Sequence, residues 1–353
     1  MGTQRLARAR RELERLCPLG LDREDLFRQA AAVVQRVVPF DGGCWHTLDP
    51  ATLLITSHWT NLSGDGFAMV VANEYRQDDV AKFATLAGRE VPAAVLTSTD
   101  ARESVRYLAY RSRGWGSELR ASFDRDGETW GAVMLLRSQD LPEFTDGDAR
   151  IVAALAPLVA QALRASIVAG AAIAESSVEG PGLIVLDHRG GVESATIAAA
   201  AWLGELDRIA LPPAVLAVAA KARAASGPAR ARVRSTSGGW LVVQGTVLEG
   251  GTEGRVAVVV EPARPRDVAP LLAAAYGLTR REREVLGEVL HGRSTKEIGA
   301  RLVVTPYTVQ DHLKSIFAKT GAASRSELVA RLFFEHFEPR LGDPLSSRGS
   351  FAS

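Results

Sequence analysis

Only two cysteines, Cys17 and Cys44, occur in 353 residues. That is too few for a disulfide framework or a cysteine-built zinc site, and it fits a reducing compartment. Charge of one sign is lacking too: the net charge is +1, so no strong overall field steers the chain to a partner. The longest apolar run, 151–174, is largely alanine and is interrupted by Gln161 and Arg164. A central arginine costs about 2.5 kcal/mol or more in a bilayer, so no spanning segment is expected. Arg5, Arg8, Arg10, Arg11 and Arg15 crowd the N-terminus without an apolar stretch beside them, so no secretory leader is expected either. These absences together point to a soluble, cytoplasmic protein.

Catalytic signatures are missing as well. There is no phosphate-cradling G-x-x-x-x-G-K-[ST], no G-x-S-x-G elbow and no H-E-x-x-H pair, so no enzyme class is indicated. A phosphoreceiver needs an acidic pair after its first strand, whereas this chain begins with a basic helix. His46 and His58 lack a second ligand at helical spacing, so no metal or other cofactor is expected. Cys44 has no neighbouring Lys or Arg to activate it as a redox switch.

What the sequence does contain is concentrated near its C-terminal end. Thr279 with Glu282, Ser294 with Glu297 and Ser324 with Glu327 each fit a capping box. Thr305-Pro306 is a fourth helix start, because proline at the first helical position loses no hydrogen bond. Apolar spacing gives each helix an inner stripe: Val285, Leu286, Val289 and Leu290; Ile298 and Leu302; Val309, Leu313, Ile316 and Phe317; then Leu328, Val329, Leu332 and Phe333. Gly292 and Gly321 are placed to close the first and third helices. Only Val303-Val304-Thr305 joins the second to the third, a helix-turn-helix spacing.

With Val309 and Leu313 turned inward, the third helix presents Tyr307, Gln310, Asp311, Lys314 and Ser315 outward, within reach of base edges in a major groove. Thr305, Thr308 and the free N–H groups at the helix start suit phosphate. Lys319, Arg293, Lys296 and Arg325 are further candidates for the DNA backbone, and each is equally well an ordinary solvated charge. Asp311 repels phosphate, so it either accepts from a cytosine amino group or pairs with Lys314. Residues 276–338 carry ten Lys/Arg against eight Asp/Glu. So small a surplus makes one module a weak, salt-sensitive DNA binder and favours two copies acting together.

The runs Gly277–Leu286, Gly292–Leu302 and Thr308–Lys314 resemble the LuxR/NarL-type DNA-binding domain, and the match is specific and free of gaps. The resemblance implies that the third helix is the recognition helix. It also implies that Gln310, Asp311 and Lys314 read bases and that Thr305, Thr308 and Lys319 hold the backbone. Gln310 stands where relatives often carry lysine, so the operator is not inherited by analogy. Glu282 reads as structural, since its capping role accounts for it.

Upstream, a helix over 26–38, strands over 43–47 and 53–56, and helical segments over 67–75 and 79–87 come first. A hairpin of 117–124 and 129–137 around Asp126-Gly127 follows, then a long helix from Thr145 or Asp146. This order, with Pro39-Phe40-Asp41 through Trp45 to Asp49-Pro50, is similar to the GAF sensor fold, as found beside this type of reader in actinobacteria. The resemblance implies an effector pocket under the helical insert, with Trp59, Tyr75, Phe83, Trp115, Leu119 and Met134 as candidate lining; each is otherwise an ordinary core residue. Residues 182–187, 192–195, 196–203 and a final hairpin of 239–248 with 254–261 resemble a PAS domain. It lacks the cysteine of flavin-binding versions, and a structural role is favoured for it.

The expected chain is therefore multidomain. It has an N-terminal helix (1–20), an α+β GAF-like sensor (21–172) and a smaller α+β PAS-like domain (176–263). A proline-stiffened linker (264–276), an all-α tetra-helical LuxR-type helix-turn-helix (277–338) and a disordered tail (339–353) complete it. The expected function is a one-component, homodimeric, sequence-specific transcriptional regulator of double-stranded DNA. The alternative is a sensor or adaptor whose C-terminal domain contacts RNA polymerase or another regulator. The stripe of Ile151, Leu155, Leu158, Val159, Ala162 and Leu163, with Leu6, Leu13 and Leu16, is either a dimer bundle or a single-chain core. Pro157 is expected to bend that long helix.

Overall fold

The computed structural model describes residues 2–62, 67–100, 104–169, 180–206, 211–225, 227–250 and 254–337; for 2, 3 and 332–337 it describes the backbone alone. The expected tail and the inward placement of Leu332 and Phe333 lie outside the described residues.

Helices α1 (Gly2–Leu16) and α2 (Arg23–Gln35) come first. Asp22 caps α2 by accepting from the N–H groups of Glu24 and Asp25 at 2.9 and 3.1 Å. There follow β1 (Gly42–Leu48), β2 (Ile55–Thr60), α3 (Phe67–Arg76), α4 (Phe83–Leu86) and β3 (Ala93–Leu96), then α5 (Val105–Arg111), β4 (Trp115–Arg125), β5 (Glu128–Ser138) and α6 (Asp146–Ala169). The sheet order is β2-β1-β5-β4-β3, antiparallel throughout. Asp126 and Gly127 both take positive φ, 54° and 81°, as a two-residue hairpin turn demands. Leu53 is held at φ 57° in the preceding turn, so β2 starts later than the expected 53–56. The helix expected over 79–87 contracts to α4.

A second α+β unit consists of β6 (Gly182–Leu186), β7 (Val192–Ala195), α7 (Ile197–Leu206), α8 (Pro213–Ala225), β8 (Ala229–Arg234), β9 (Trp240–Val247) and β10 (Val256–Pro262). Its order, β7-β6-β10-β9-β8, repeats the topology of the first sheet and is again antiparallel, although the sequence shows no tandem repeat. The GAF-like and PAS-like readings thus converge on one strand order. Helix α8 is wedged between the units, against α3 and β2 on one side and β8, β9 and β10 on the other. One apolar cluster runs from Val70, Val71 and Phe83 through Val215 and Val218 to Val243 and Val258.

Residues 264–276, expected as a linker, instead form α9 (Pro265–Ala275), with Val268, Leu271 and Leu272 buried. Pro265 stands at the start of the helix, where its missing N–H costs nothing, and the Arg264 N–H donates to Asp267 Oδ2 at 3.0 Å. Helices α10 (Arg280–Leu290), α11 (Thr295–Leu302), α12 (Pro306–Thr320) and α13 (Arg325–Phe337) complete the chain, and α9 packs against α6, α10 and α13.

Helix α6 is long and apolar enough to cross a membrane by length and composition, yet half of its most apolar stretch is buried within the fold. It packs on β3, β4, β5, α1, α2 and α9. Leu13, Leu16, Leu155, Leu158, Val159 and Leu163 are all buried inside one chain, so the single-chain core accounts for the stripe that a dimer bundle would have used. Pro157 sits inside an uninterrupted helix.

Candidate nucleic-acid interface and sensor cavity

Local chemistry sets the ends of the reader helices. Thr279 Oγ1 accepts from the Glu282 N–H while Glu282 Oε2 accepts from the Thr279 N–H, at 3.3 and 2.7 Å. Ser294 and Glu297 repeat the exchange. At α13 the carboxylate of Glu327 reaches one residue further back, to the Ala323 N–H at 2.8 Å. Thr305 caps α12 through the Thr308 N–H at 3.1 Å, and Gly321 closes it at φ 70°.

Val303 ends α11 at φ 55°, ψ 50°, a left-handed conformation that is costly for a β-branched residue. The tight turn is possible because α11 has no side chain at Gly299: a Cβ there would lie 2.8 Å from the Val304 carbonyl oxygen. Gly299→Ala is expected to destabilise the helix-turn-helix by about 1–3 kcal/mol through overpacking against backbone. Urea unfolding of the full chain, with hydrogen exchange to locate the loss in α11 and α12, checks this.

Val309 and Leu313 are buried, whereas Tyr307, Gln310, Asp311 and Lys314 on α12 are exposed. Lys314 Nζ lies 3.5 Å from Asp311 Oδ1, the intrahelical pair that sequence spacing allows. Lys296 is exposed at the start of α11. Thr305 is exposed and Thr308 half-buried, and their hydroxyls are 2.9 Å apart.

The other candidate backbone contacts are drawn inward. Lys319 Nζ donates to Glu282 Oε2 and Ser315 Oγ to Glu282 Oε1, both at 2.6 Å, so Ser315 does not belong to the free outer face. Arg293 pairs with Glu288. Arg325 donates to the Arg293 carbonyl at 2.8 Å and to Thr295 Oγ1 at 2.6 Å, tying α13 to the start of α11. A nearly buried carboxylate explains the first of these: burial opposes ionisation of Glu282. Hydrogen bonds from Lys319, Ser315 and the Thr279 N–H outweigh it and hold the carboxyl at about 2. Glu282 is therefore both a cap and a bridge from α10 to α12. Its second role has no local sequence signal, because the partners lie a helix and a turn away.

Under α3 the first unit holds a half-open cavity of about 390 Å³. Of the expected lining, Trp115 and Met134 face it, with Cys44, His58, Phe67, Tyr110 and Arg113 added. The remaining four do not line it. Leu119 and Trp59 pack into the cluster shared with α6 and α2, because strand alternation sends them to the other sheet face. Tyr75 is spent on backbone, accepting from the Ile55 N–H at 2.8 Å and donating to the Leu53 carbonyl at 3.2 Å. Phe83 lies under the Arg120 guanidinium, 3.7 Å from ring centre to Cζ. His58 stacks on Phe67 at 4.2 Å. Burial pushes the Cys44 thiol up to about 12 and His46 well down, with His58 and Arg120 adding to the latter; neither group is ionised near neutrality.

Beside the cavity lies a buried charge cluster that sequence reasoning missed. Arg106 Nε donates to Glu118 at 2.9 and 3.2 Å, Nη1 to Asn73 Oδ1 at 2.6 Å and Nη2 to the Val80 carbonyl at 3.1 Å. Arg120 Nη2 donates to Glu74 at 2.9 Å and Nη1 to the Ala81 carbonyl at 3.0 Å. Asp79 accepts from the Arg106 N–H at 3.0 Å and from Asn73 at 2.6 Å.

Comparison with known proteins bears on the reader first. Residues 277–332 match the family described as bacterial regulatory proteins, luxR family. The monoamine regulon transcriptional regulator of Klebsiella aerogenes is 48% identical over 54 residues, 15% of this chain and 24% of that protein. The probable transcriptional regulatory protein NarL of Mycobacterium tuberculosis is 31% identical over 165 residues, 42% of this chain and 71% of NarL. The chain belongs to the luxR family of bacterial regulatory proteins. This luxR-family chain spans about a quarter of the length of the first curated relatives it matches. Among solved structures, SdiA in complex with octanoyl-rac-glycerol aligns with 94% of the luxR-family chain and 97% of its own at 13% identity and TM-score 0.35. The GAF domain/HD domain protein from Geobacter sulfurreducens aligns with 40% of this chain at 15% identity and TM-score 0.31.

Proposed function

We propose that the chain is a one-component transcriptional regulator. It acts in the cytoplasm as a homodimer, reads double-stranded DNA through α12 and has no catalytic activity. The observation that carries this reading is the polarity of α12: Val309 and Leu313 hold the helix to the bundle while Tyr307, Gln310, Asp311 and Lys314 stand free of it. Gln310, Asp311 and Lys314 read base edges, and Thr305, Thr308 and Lys296 with the free N–H groups of the α12 start contact phosphate. Lys319, Arg293 and Arg325 act first on the bundle and reach phosphate with whatever donors remain.

The cavity under α3 takes a small-molecule effector, and its volume falls within the range of about 300–1,000 Å³ usual for such sites. Because α3 packs directly on α8, a shift of α3 is transmitted to the second sheet, whose Trp240 on β9 shares a different core with Val268 and Leu271 of α9. A gel shift with the purified full chain on the region upstream of its own gene tests DNA binding, and the absence of any sequence-specific complex rejects it. Lys314→Ala is expected to cost about 1–3 kcal/mol of specific binding, measured as the dissociation constant on the retarded fragment. Unchanged affinity and specificity remove Lys314 from the base-reading role.

A further inference from the structure

A second cavity, of about 410 Å³, lies where the three parts of the chain meet. Its wall includes the N-terminal end of α2, the β1–β2 turn and the end of α6 from the first unit, the β8–β9 hairpin from the second, and Leu271 of α9.

The carboxylates around it are already engaged. Asp49 is clamped by Arg232 through the backbone N–H at 2.8 Å, Nε at 2.9 Å and a close Nη2 contact. Asp22 caps α2, and Glu24 pairs with Arg28 at 3.1 Å. Two guanidinium groups in the same wall have no carboxylate partner among the described residues. Arg234 Nη1 donates only to the Ser166 and Ile167 carbonyls, at 3.1 and 3.3 Å, and Arg23 Nη1 reaches the Arg234 carbonyl at 3.5 Å. Burial, and then the charge of Arg23, pull the Arg234 guanidinium below its usual range, the mark of a cation short of a counter-charge. Trp130 and Trp240 also line the space, and their buried indole N–H groups have no acceptor among the described residues. Among the described residues, the buried side-chain polar atoms of this wall left without a partner are thus both donors, set in apolar surroundings.

We propose that this cavity is a binding site for a small organic anion, its carboxylate or phosphate head between Arg23 and Arg234 and its apolar body against Trp130, Leu163 and Leu271. The site is separate from the cavity under α3 and independent of the DNA reading. Arg232, in the same wall, also donates to the Asp267 carbonyl of α9 at 3.3 Å, so an occupant touches both sensor units and the helix that leads into the reader.

Titration calorimetry of the full chain with octanoate, octyl phosphate and octanamide tests it. At least one anion is expected to bind about tenfold or more tighter than the amide, since charge-assisted hydrogen bonds to guanidinium are the stronger kind. A preference for octanoate assigns a carboxylate and one for octyl phosphate assigns a phosphate, either of which supports the site. Arg234→Gln and Arg23→Gln are each expected to weaken the anion about fivefold or more while leaving the amide unchanged. Arg113→Gln, in the cavity under α3, is expected to change neither. Should Arg234→Gln fail to fold, Arg23→Gln decides, because among the described residues its guanidinium holds one long bond. The proposal is overturned by anions that bind no better than octanamide, by no binding at all, or by a loss in Arg113→Gln that Arg23→Gln does not share.

Discussion

Arg106→Met is expected to lower the unfolding free energy by about 3–5 kcal/mol, because it strands buried carboxylates without their counter-charge. Arg106 and Glu118 are both fully buried, and the guanidinium joins α5 to Asn73 on α3, to the Val80 carbonyl and to β4. Methionine keeps most of the volume and supplies none of the donors, so Glu118 must either take up a proton or draw water into the core. Chemical denaturation of the full chain gives the size of the loss. A change under about 1 kcal/mol would show that the cluster relaxes and does not hold α3 over its cavity.

Glu282→Gln is expected to remove about 3 kcal/mol from the reader at neutral pH and almost nothing near pH 2. The folded carboxyl is held at about 2, below its ordinary 4.5. Its stabilisation is therefore complete above about pH 4.5 and disappears as the pH falls towards 2. The wild-type reader should loosen across that window, and the glutamine variant should show a flatter profile. Hydrogen exchange of the α10 and α12 amides in the full chain, followed from pH 7 to pH 2, separates the two. Equal slopes in both proteins would mean that other carboxylates govern acid unfolding.

The two variants differ in how readily sequence could have revealed their partners. Each reader helix announces itself within four residues, through a hydroxyl with a carboxylate or, for α12, with Pro306, and through an apolar stripe, and these rules act locally. The Asp126-Gly127 hairpin and the long α6 follow from equally local rules. Helix α8 was not expected because it is apolar nearly all round, with Val215, Ala217, Val218 and Ala219 all buried, so no polar face marks its period. Helix α9 was hidden by its prolines, which are also the usual sign of a linker. Arg106, Glu118, Arg120 and Glu74 come together across three elements with no periodic spacing. Lys319 and Arg325 looked like free cations until tertiary packing supplied Glu282 and the Arg293 carbonyl. Strand alternation sends Trp59 and Leu119 to the face packed on α6 and α2; Trp59 lies beyond the expected end of β2, whereas Leu119 lies within the expected strand, whose alternation alone does not say which face turns to the cavity.

The wedge of α8 between two sheets of like order also limits how this protein can be taken apart. Cut between the sheets, each half would leave Val70 and Val71, or Val215 and Val218, facing water, and neither would be a sound building block. A chimera that borrows this input for a foreign output must transplant both sheets as one piece, through the end of α9.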